Sequence, residues 1–222
     1  NEQNLGFATA VNQGLERAKG RFCALVNPDT AVGPECLAQL CAHLEHNPGV
    51  GLVGPRLLNE EGTPQVSLAP YPSPGDLARN WLGRPTEDPS RLWLVGAMVL
   101  AETALLRQLG GLDEGFFLYG EDMDLSYRVQ QLGRAVHLSR SVHITHTGNP
   151  RWHPERLVRV YGAYMRFAAR HLGYRRAPLG LMLSALWLLR GGLAGVKPAG
   201  LRSGLDRIWS THREQPPAER FY

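Results

Sequence analysis

An α/β fold with a mainly parallel sheet, followed by a helical C-terminal extension, is what this 222-residue sequence predicts. Three observations predict it. Over residues 1–150, apolar residues at helical spacing alternate with short continuous apolar runs, the pattern of helices laid on buried strands. Glycine and proline stand at the joints between these runs. From His153 onward the strand-like runs cease and only helical periodicity remains.

The elements follow in order. Apolar residues at helical spacing predict a helix over Phe7–Ala18, stopped by Gly20, and the run Arg21–Val26 reads as a buried strand. The chain then turns sharply at Asn27-Pro28-Asp29-Thr30. A second helix opens with Pro34 in its first turn, where a missing N–H is tolerated, and runs to Asn47-Pro48. Val50–Val53 is a short strand. Pro55 to Pro89 is rich in proline, glycine and polar residues and reads as a long excursion in which only Gln65–Leu68 looks strand-like. Regularity returns with a strand over Leu92–Leu100, a helix over Glu102–Leu109 and a Gly110-Gly111 stop. A loop, Leu112–Gly120, leads into a helix that begins near Glu121 and ends at Gly133, and two short strands follow around Ala135–Leu138 and Val142–His146. The extension carries an amphipathic, Arg-rich helix over Pro154–Leu172, a strongly apolar one over Pro178–Val196 and a shorter piece over Leu201–Trp209. The apolar segment approaches the minimum length for a bilayer span, yet Arg190 and several glycines favour a helix lying in the interface.

With 43% hydrophobic residues the chain can bury a sizeable core, which excludes a disordered or fibrous protein. Cys23, Cys36 and Cys41 sit in apolar stretches without a CxxC pair, so buried free thiols in a reducing cytoplasm are expected rather than zinc or disulfides. The first residue is Asn1 and no charged-then-apolar leader precedes it, so a fragment is expected. The net charge of +4 conceals an asymmetry. Residues 1–150 hold 11 Lys+Arg against 16 Asp+Glu, net −5, whereas residues 151–222 hold 13 against 4, net +9. A basic tail of this kind suits an anionic membrane surface; nucleic-acid binding gains no support, because the surplus lies on apolar helices rather than among exposed aromatics.

Three groups of residues carry candidate chemistry. Asp29 follows a strand that breaks at Asn27-Pro28, which delivers a carboxylate to the edge where open α/β sheets bind ligands. It suits a hard divalent cation such as Mg²⁺ or Mn²⁺, though closing an Asx turn or capping the next helix would also explain it. The acidic turn Glu121-Asp122-Met123-Asp124 complements a helix dipole, but three carboxylates exceed what a cap needs, and one held at the mouth of a sheet can serve as a general base. Its glycine precedes the acidic run rather than interrupting it, which excludes an EF-hand loop. His143 and His146 fall on opposite faces of an extended strand and cannot chelate one ion together. His146, beside Gly148, is the better candidate for the site, against the ordinary alternative of a structural histidine.

These stretches resemble the GT-A-fold family 2 glycosyltransferases, in particular their bacterial rhamnosyltransferase-like branch. The matching residues are Asn4-Leu-Gly-Phe7 with Asn12 and Gly14, Leu25-Val-Asn-Pro-Asp-Thr30, Val95-Gly-Ala97, Gly110-Gly-Leu-Asp-Glu-Gly-Phe-Phe117, Tyr119-Gly-Glu-Asp-Met-Asp-Leu125 and His146-Thr-Gly148. Their order and spacing agree over residues 1 to about 150, a far more specific signal than any one of them. The resemblance implies a Rossmann-like GT-A domain over 1–150, truncated at its start; the basic helical tail over 151–222 lies beyond it, and its charge suggests a membrane-associating role, against packing on the catalytic domain or a second subunit. The resemblance implies that Asp29 is the metal-binding position of a DxD-like motif in which Asn27 replaces the first acid, with His146 where some members place a further ligand. It makes Asp122 the catalytic base with Glu121 beside it, and lays Asn4, Gly6, Asn12 and Asn27 against the nucleotide-sugar. Members ordinarily begin with a strand, a helix and a further strand ahead of the point where this chain starts, so that base-recognising segment is expected to be absent.

The function so implied is metal-dependent transfer of the hexosyltransferase type. An inverting single displacement would move a sugar, rhamnose as the first guess, from a nucleotide-diphosphate donor to a saccharide or lipid-linked acceptor. The setting would be polysaccharide, cell-wall or glycolipid synthesis at the inner face of a bacterial membrane, with an oligomer left open. Two rivals stand beside it. A non-catalytic sugar- or partner-binding module could keep the fold without turnover, and a nucleotidyltransferase would use similar carboxylates but release pyrophosphate.

Overall fold

The computed structural model describes residues 1–73, 75–76, 79, 82, 84, 86–148 and 154–173. The chain divides into two units, Asn1–Asn149 and Pro150–Tyr222.

In the first unit, helix α1 (Phe7–Arg17) leads to strand β1 (Phe22–Val26), the two-residue β2 (Thr30–Ala31), helix α2 (Cys36–His46) and strand β3 (Val50–Leu58). β4 (Leu68–Pro70) and β5 (Leu92–Leu94) form a small antiparallel pair of their own. β6 (Met98–Glu102), α3 (Thr103–Gln108), α4 (Glu121–Gln131) and β7 (Ala135–His146) complete it.

The main sheet has the order β1-β6-β3-β7-β2. β6 runs antiparallel to both β1 and β3, β3 lies parallel to β7, and β2 runs antiparallel to β7. Three strands therefore share a direction, but only one neighbouring pair is parallel. The ladder is mixed rather than mainly parallel because β6 enters between β1 and β3 from the opposite end.

Residue alternation along β6 shows how the layers are held. Val99 and Ala101 join an apolar cluster with Ala8, Leu15, Leu106, Leu125 and Val129, under α1, α3 and α4. Met98 and Leu100 face the other way, into a cluster with Cys36, Leu40 and Leu44 of α2. Side chains such as Leu40, Leu52 and Leu100 are almost wholly removed from solvent, each contributing about 1.5–3 kcal/mol of transfer free energy. All three cysteines are free; Cys36 is buried, Cys23 and Cys41 partly so, and burial pushes their thiols up.

Several boundaries depart from the sequence reading; α2 begins only at Cys36, with Glu35 at its N-cap, so Pro34 lies in the turn ahead of the helix rather than in its first turn. β3 continues to Leu58 through Pro55, and the two short strands expected near the end of the unit are one strand, β7. Both differences have one cause: at Pro55, which has no N–H to give, the β3/β7 register jumps from Ser139 to His143, and the extra residues form an irregularity instead of ending the strand. The expected strand Leu92–Leu100 is split into β5 and β6 by Val95-Gly96-Ala97. β4 begins at Leu68, where the strand-like reading of Gln65–Leu68 ended.

In the second unit, helix α5 spans Pro154–His171 and carries Arg170 and His171 in its last turn, where cations complement the helix dipole. Among the described residues, no helix is long and apolar enough to cross a membrane. The segments expected over Pro178–Val196 and Leu201–Trp209 lie outside the described residues.

Candidate active site

The corner where β1 ends is organised by the peptide Gly96-Ala97. The Ala97 carbonyl accepts from the Asn27 N–H at 2.9 Å and from the Thr30 hydroxyl at 3.2 Å, while Thr30 N–H closes the turn on the Asn27 carbonyl. The preceding N–H, that of Gly96, donates to Asp122 Oδ2 at 2.7 Å. One dipeptide thus anchors both the turn that carries Asp29 and the carboxylate of Asp122. Gly96 has no room for a side chain: a Cβ there would lie 2.8 Å from the Asp122 Cβ.

Asp29 and His146 meet. Thr30 pairs with His146 across β2 and β7, and Thr147 donates to the Asp29 carbonyl through both its N–H, at 2.9 Å, and its hydroxyl, at 3.1 Å. His146 Nε2 then lies 3.4 Å from Asp29 Oδ1. A Cβ on Gly148 would fall 2.8 Å from that Nε2 and 3.2 Å from Asp29 Oδ2, so the absent side chain leaves a cradle between imidazole and carboxylate. His143 is exposed, as the strand alternation requires.

This pair fits a hard divalent cation. Neighbouring ligands of an octahedral ion at about 2.1 Å lie about 3 Å apart, close to the observed separation. Among the described residues no group of three His, Cys, Asp or Glu side chains converges.

Glu121 and Asp122 open α4. Tyr119 adopts φ 71, costly for a side chain with a Cβ, and Gly120 follows at φ 94, so two consecutive left-handed residues turn the chain into the helix. Asp122 accepts from Gly96 N–H and, through Oδ1, from Met123 N–H at 2.8 Å. Burial raises its pKa, while those N–H groups favour the charged form. Glu121 is buried with Oε2 lacking a hydrogen-bond partner, and burial followed by the nearby Asp122 pushes its carboxyl up to about 8.

The remaining expected residues hold a loop. Asn4 Oδ1 accepts from Gly6 N–H, Phe7 N–H donates to the Phe117 carbonyl, and a Cβ on Gly6 would strike that same carbonyl at 2.7 Å. The Asn12 amide both accepts from Leu112 N–H and donates to the Leu112 carbonyl and to Glu114. Asn4, Gly6 and Asn12 therefore tie the start of α1 to the 111–117 loop that leads into Glu121. Asn27 contributes through its backbone. Two participants were given no role in the sequence reading: the Gly96 N–H, although Val95-Gly-Ala97 is among the matching stretches and a glycine inside a strand-like run marks close approach, and Gln65, described below.

The family model described as Glycosyl transferase family 2 matches residues 1–107. An N-acetylglucosaminyl-diphospho-decaprenol L-rhamnosyltransferase of Mycobacterium tuberculosis is 29% identical, over 92% of this chain and 75% of that protein. Over residues 1–107 this chain is therefore similar to glycosyltransferase family 2. The chain is also 26% identical, over 58% of its length and 44% of the relative, to a low-salt glycan biosynthesis hexosyltransferase of Haloferax volcanii. A mannosyltransferase structure from Pyrobaculum calidifontis, in complex with GDP-Man and Mn²⁺, superposes with a TM-score of 0.55 at 14% identity, covering 93% of this chain and 65% of that one. The fold is GT-A, and the chain spans just under two thirds of the mannosyltransferase's length.

Proposed function

We propose that this chain carries the catalytic groups of a metal-assisted, inverting hexosyltransferase that moves a sugar from a nucleoside-diphosphate donor to an acceptor hydroxyl. The observation that carries this reading is the Gly96-Ala97 peptide, which binds the Asp29 turn through one carbonyl and Asp122 through one N–H. A cation-binding carboxylate and a proton acceptor on one corner of a sheet are what a single displacement needs.

Asp29 and His146 would hold Mg²⁺ or Mn²⁺. The ion's chemistry is neutralisation of charge on the departing diphosphate. Asp122, fixed by two backbone N–H groups, accepts the proton of the acceptor hydroxyl as that oxygen attacks the anomeric carbon. Burial raises the pKa of both carboxyls, and the two N–H groups on Asp122 favour its charged form, the form a proton acceptor needs. Asn27 is the donor-side candidate, while Asn4, Gly6 and Asn12 act through the loop they hold.

The mycobacterial relative supports rhamnose as the first donor sugar to test and a lipid-linked saccharide as the acceptor class. The basic residues of 151–222 support an anionic membrane surface, at the inner face of a bacterial membrane, as the place of reaction, in polysaccharide or cell-wall synthesis. A screen of nucleotide-sugars with and without Mn²⁺, read as nucleoside-diphosphate release, tests the proposal. Metal-dependent release from one or a few donors is expected. Release of pyrophosphate, or no release from any donor, would overturn it.

A further inference from the structure

Gln65 lies in the stretch that reads, from sequence, as a variable excursion, yet its side chain meets His146. Its backbone is fixed first. Gln65 N–H donates to the Leu57 carbonyl at 2.7 Å, Leu58 bridges Pro64, and the turn between them closes through Asn59 N–H to Thr63 O and Gly62 N–H to Asn59 O. The residue is therefore held beside the end of β3, which pairs with the end of β7 through Leu58 and Thr145.

The side-chain amide has one orientation that satisfies its neighbours. Its nitrogen lies 2.6 Å from the His146 carbonyl and 2.7 Å from Asn59 Oδ1, two oxygens that only accept. Reversing the amide would press oxygen against oxygen at both contacts, so the nitrogen must face them. Gln65 Oε1 is left facing His146 Nδ1 at 2.9 Å. An amide oxygen cannot donate, so Nδ1 must carry the hydrogen. In the neutral imidazole the other nitrogen, Nε2, then has a lone pair, and that is the atom 3.4 Å from Asp29 Oδ1. Two acceptors face each other across the space that Gly148 leaves clear.

We propose that Gln65 is a positioning residue that fixes the His146 ring and its tautomer, so that the Nε2 lone pair and the Asp29 carboxylate face one divalent cation. The assignment rests on the metal reading of Asp29 and His146 given above. The backbone clasp of Thr147 on Asp29 fixes one side of the cradle; on the other side the Gln65 amide holds the His146 ring through Nδ1 at 2.9 Å. Partners of this kind, accepting from the far nitrogen of a ligating histidine, govern ring orientation and metal affinity together.

Long-range ¹H–¹⁵N correlation of the imidazoles in the metal-free chain, with His146 assigned by His146→Gln, reads the tautomer directly. The Nδ1–H form is expected in the wild type and a shift toward Nε2–H in Gln65→Met. Mn²⁺ titration followed by electron paramagnetic resonance should show affinity weakened about 10- to 100-fold in Gln65→Met. An Nε2–H tautomer in the wild type, or unchanged Mn²⁺ affinity in Gln65→Met, overturns the assignment while leaving the metal site standing. No Mn²⁺ binding by the wild type overturns both. Should Gln65→Met fail to fold, the wild-type tautomer decides alone.

Discussion

Glu121 and Asp122 adjoin in sequence yet meet different partners, and that difference sorts their protons. Two backbone N–H groups favour charge on Asp122, whereas Glu121 Oε2 is buried without a hydrogen-bond partner. The pair titrates as a unit, and burial drives the Glu121 carboxyl from 4.5 in the unfolded chain up to about 8 in the folded one. Below that window both states hold the proton. Within it the unfolded state releases the proton and the folded state keeps it, so stability falls as pH rises. Glu121→Gln keeps the neutral shape and should flatten the decline of the thermal midpoint between roughly pH 5 and pH 8. A midpoint with the same pH dependence in the variant would contradict the assignment. Three carboxylates after a glycine were legible as chemistry beyond a cap. Which one lacks a partner was not, because the Gly96 N–H that decides it lies 26 residues away from Asp122.

At the scale of elements, the acidic turn is held in place by ties that sequence periodicity does not register. Arg128 falls at helical spacing on α4 and reads as one more polar residue. In the structure it binds the fully buried Asp124 at 2.6 Å and donates to the carbonyls of Leu109 and Gly111, both at 2.8 Å, which locks α4 onto the turn after α3. Arg128→Met would leave Asp124 buried without its cation and should lower unfolding stability by about 3–5 kcal/mol in urea titration; a loss below about 1 kcal/mol would show the pair to be dispensable. The helices themselves were legible, since each shows one apolar face and a clear stop. The strands were less so. Pro55 resembles the end of β3 because a proline cannot donate to a ladder, but the register jump opposite it absorbs the missing N–H. Gly96 hides a break because its neighbours are all apolar, so periodicity runs through the point where the chain leaves one sheet for another.

Across the catalytic unit, the mixed sheet brings together stretches that are far apart in the chain. The ends of β1 and β7 and the starts of β6 and α4 meet at one corner, and in the sequence the only sign of it is the order of the motifs rather than any single residue. What it could not foretell was the means, a single dipeptide between β5 and β6 that grips Asn27 on one side and Asp122 on the other. The central claim is that Asp122 removes the acceptor's proton while donor and cation are held elsewhere in that corner. Its most direct test is the initial rate of sugar transfer by Asp122→Asn at saturating donor and Mn²⁺, with donor affinity measured on the same sample. The rate should fall about 10²- to 10⁴-fold, the range of a lost general base, with donor affinity within a few-fold of the wild type; turnover by the variant at close to the wild-type rate would remove Asp122 from that role.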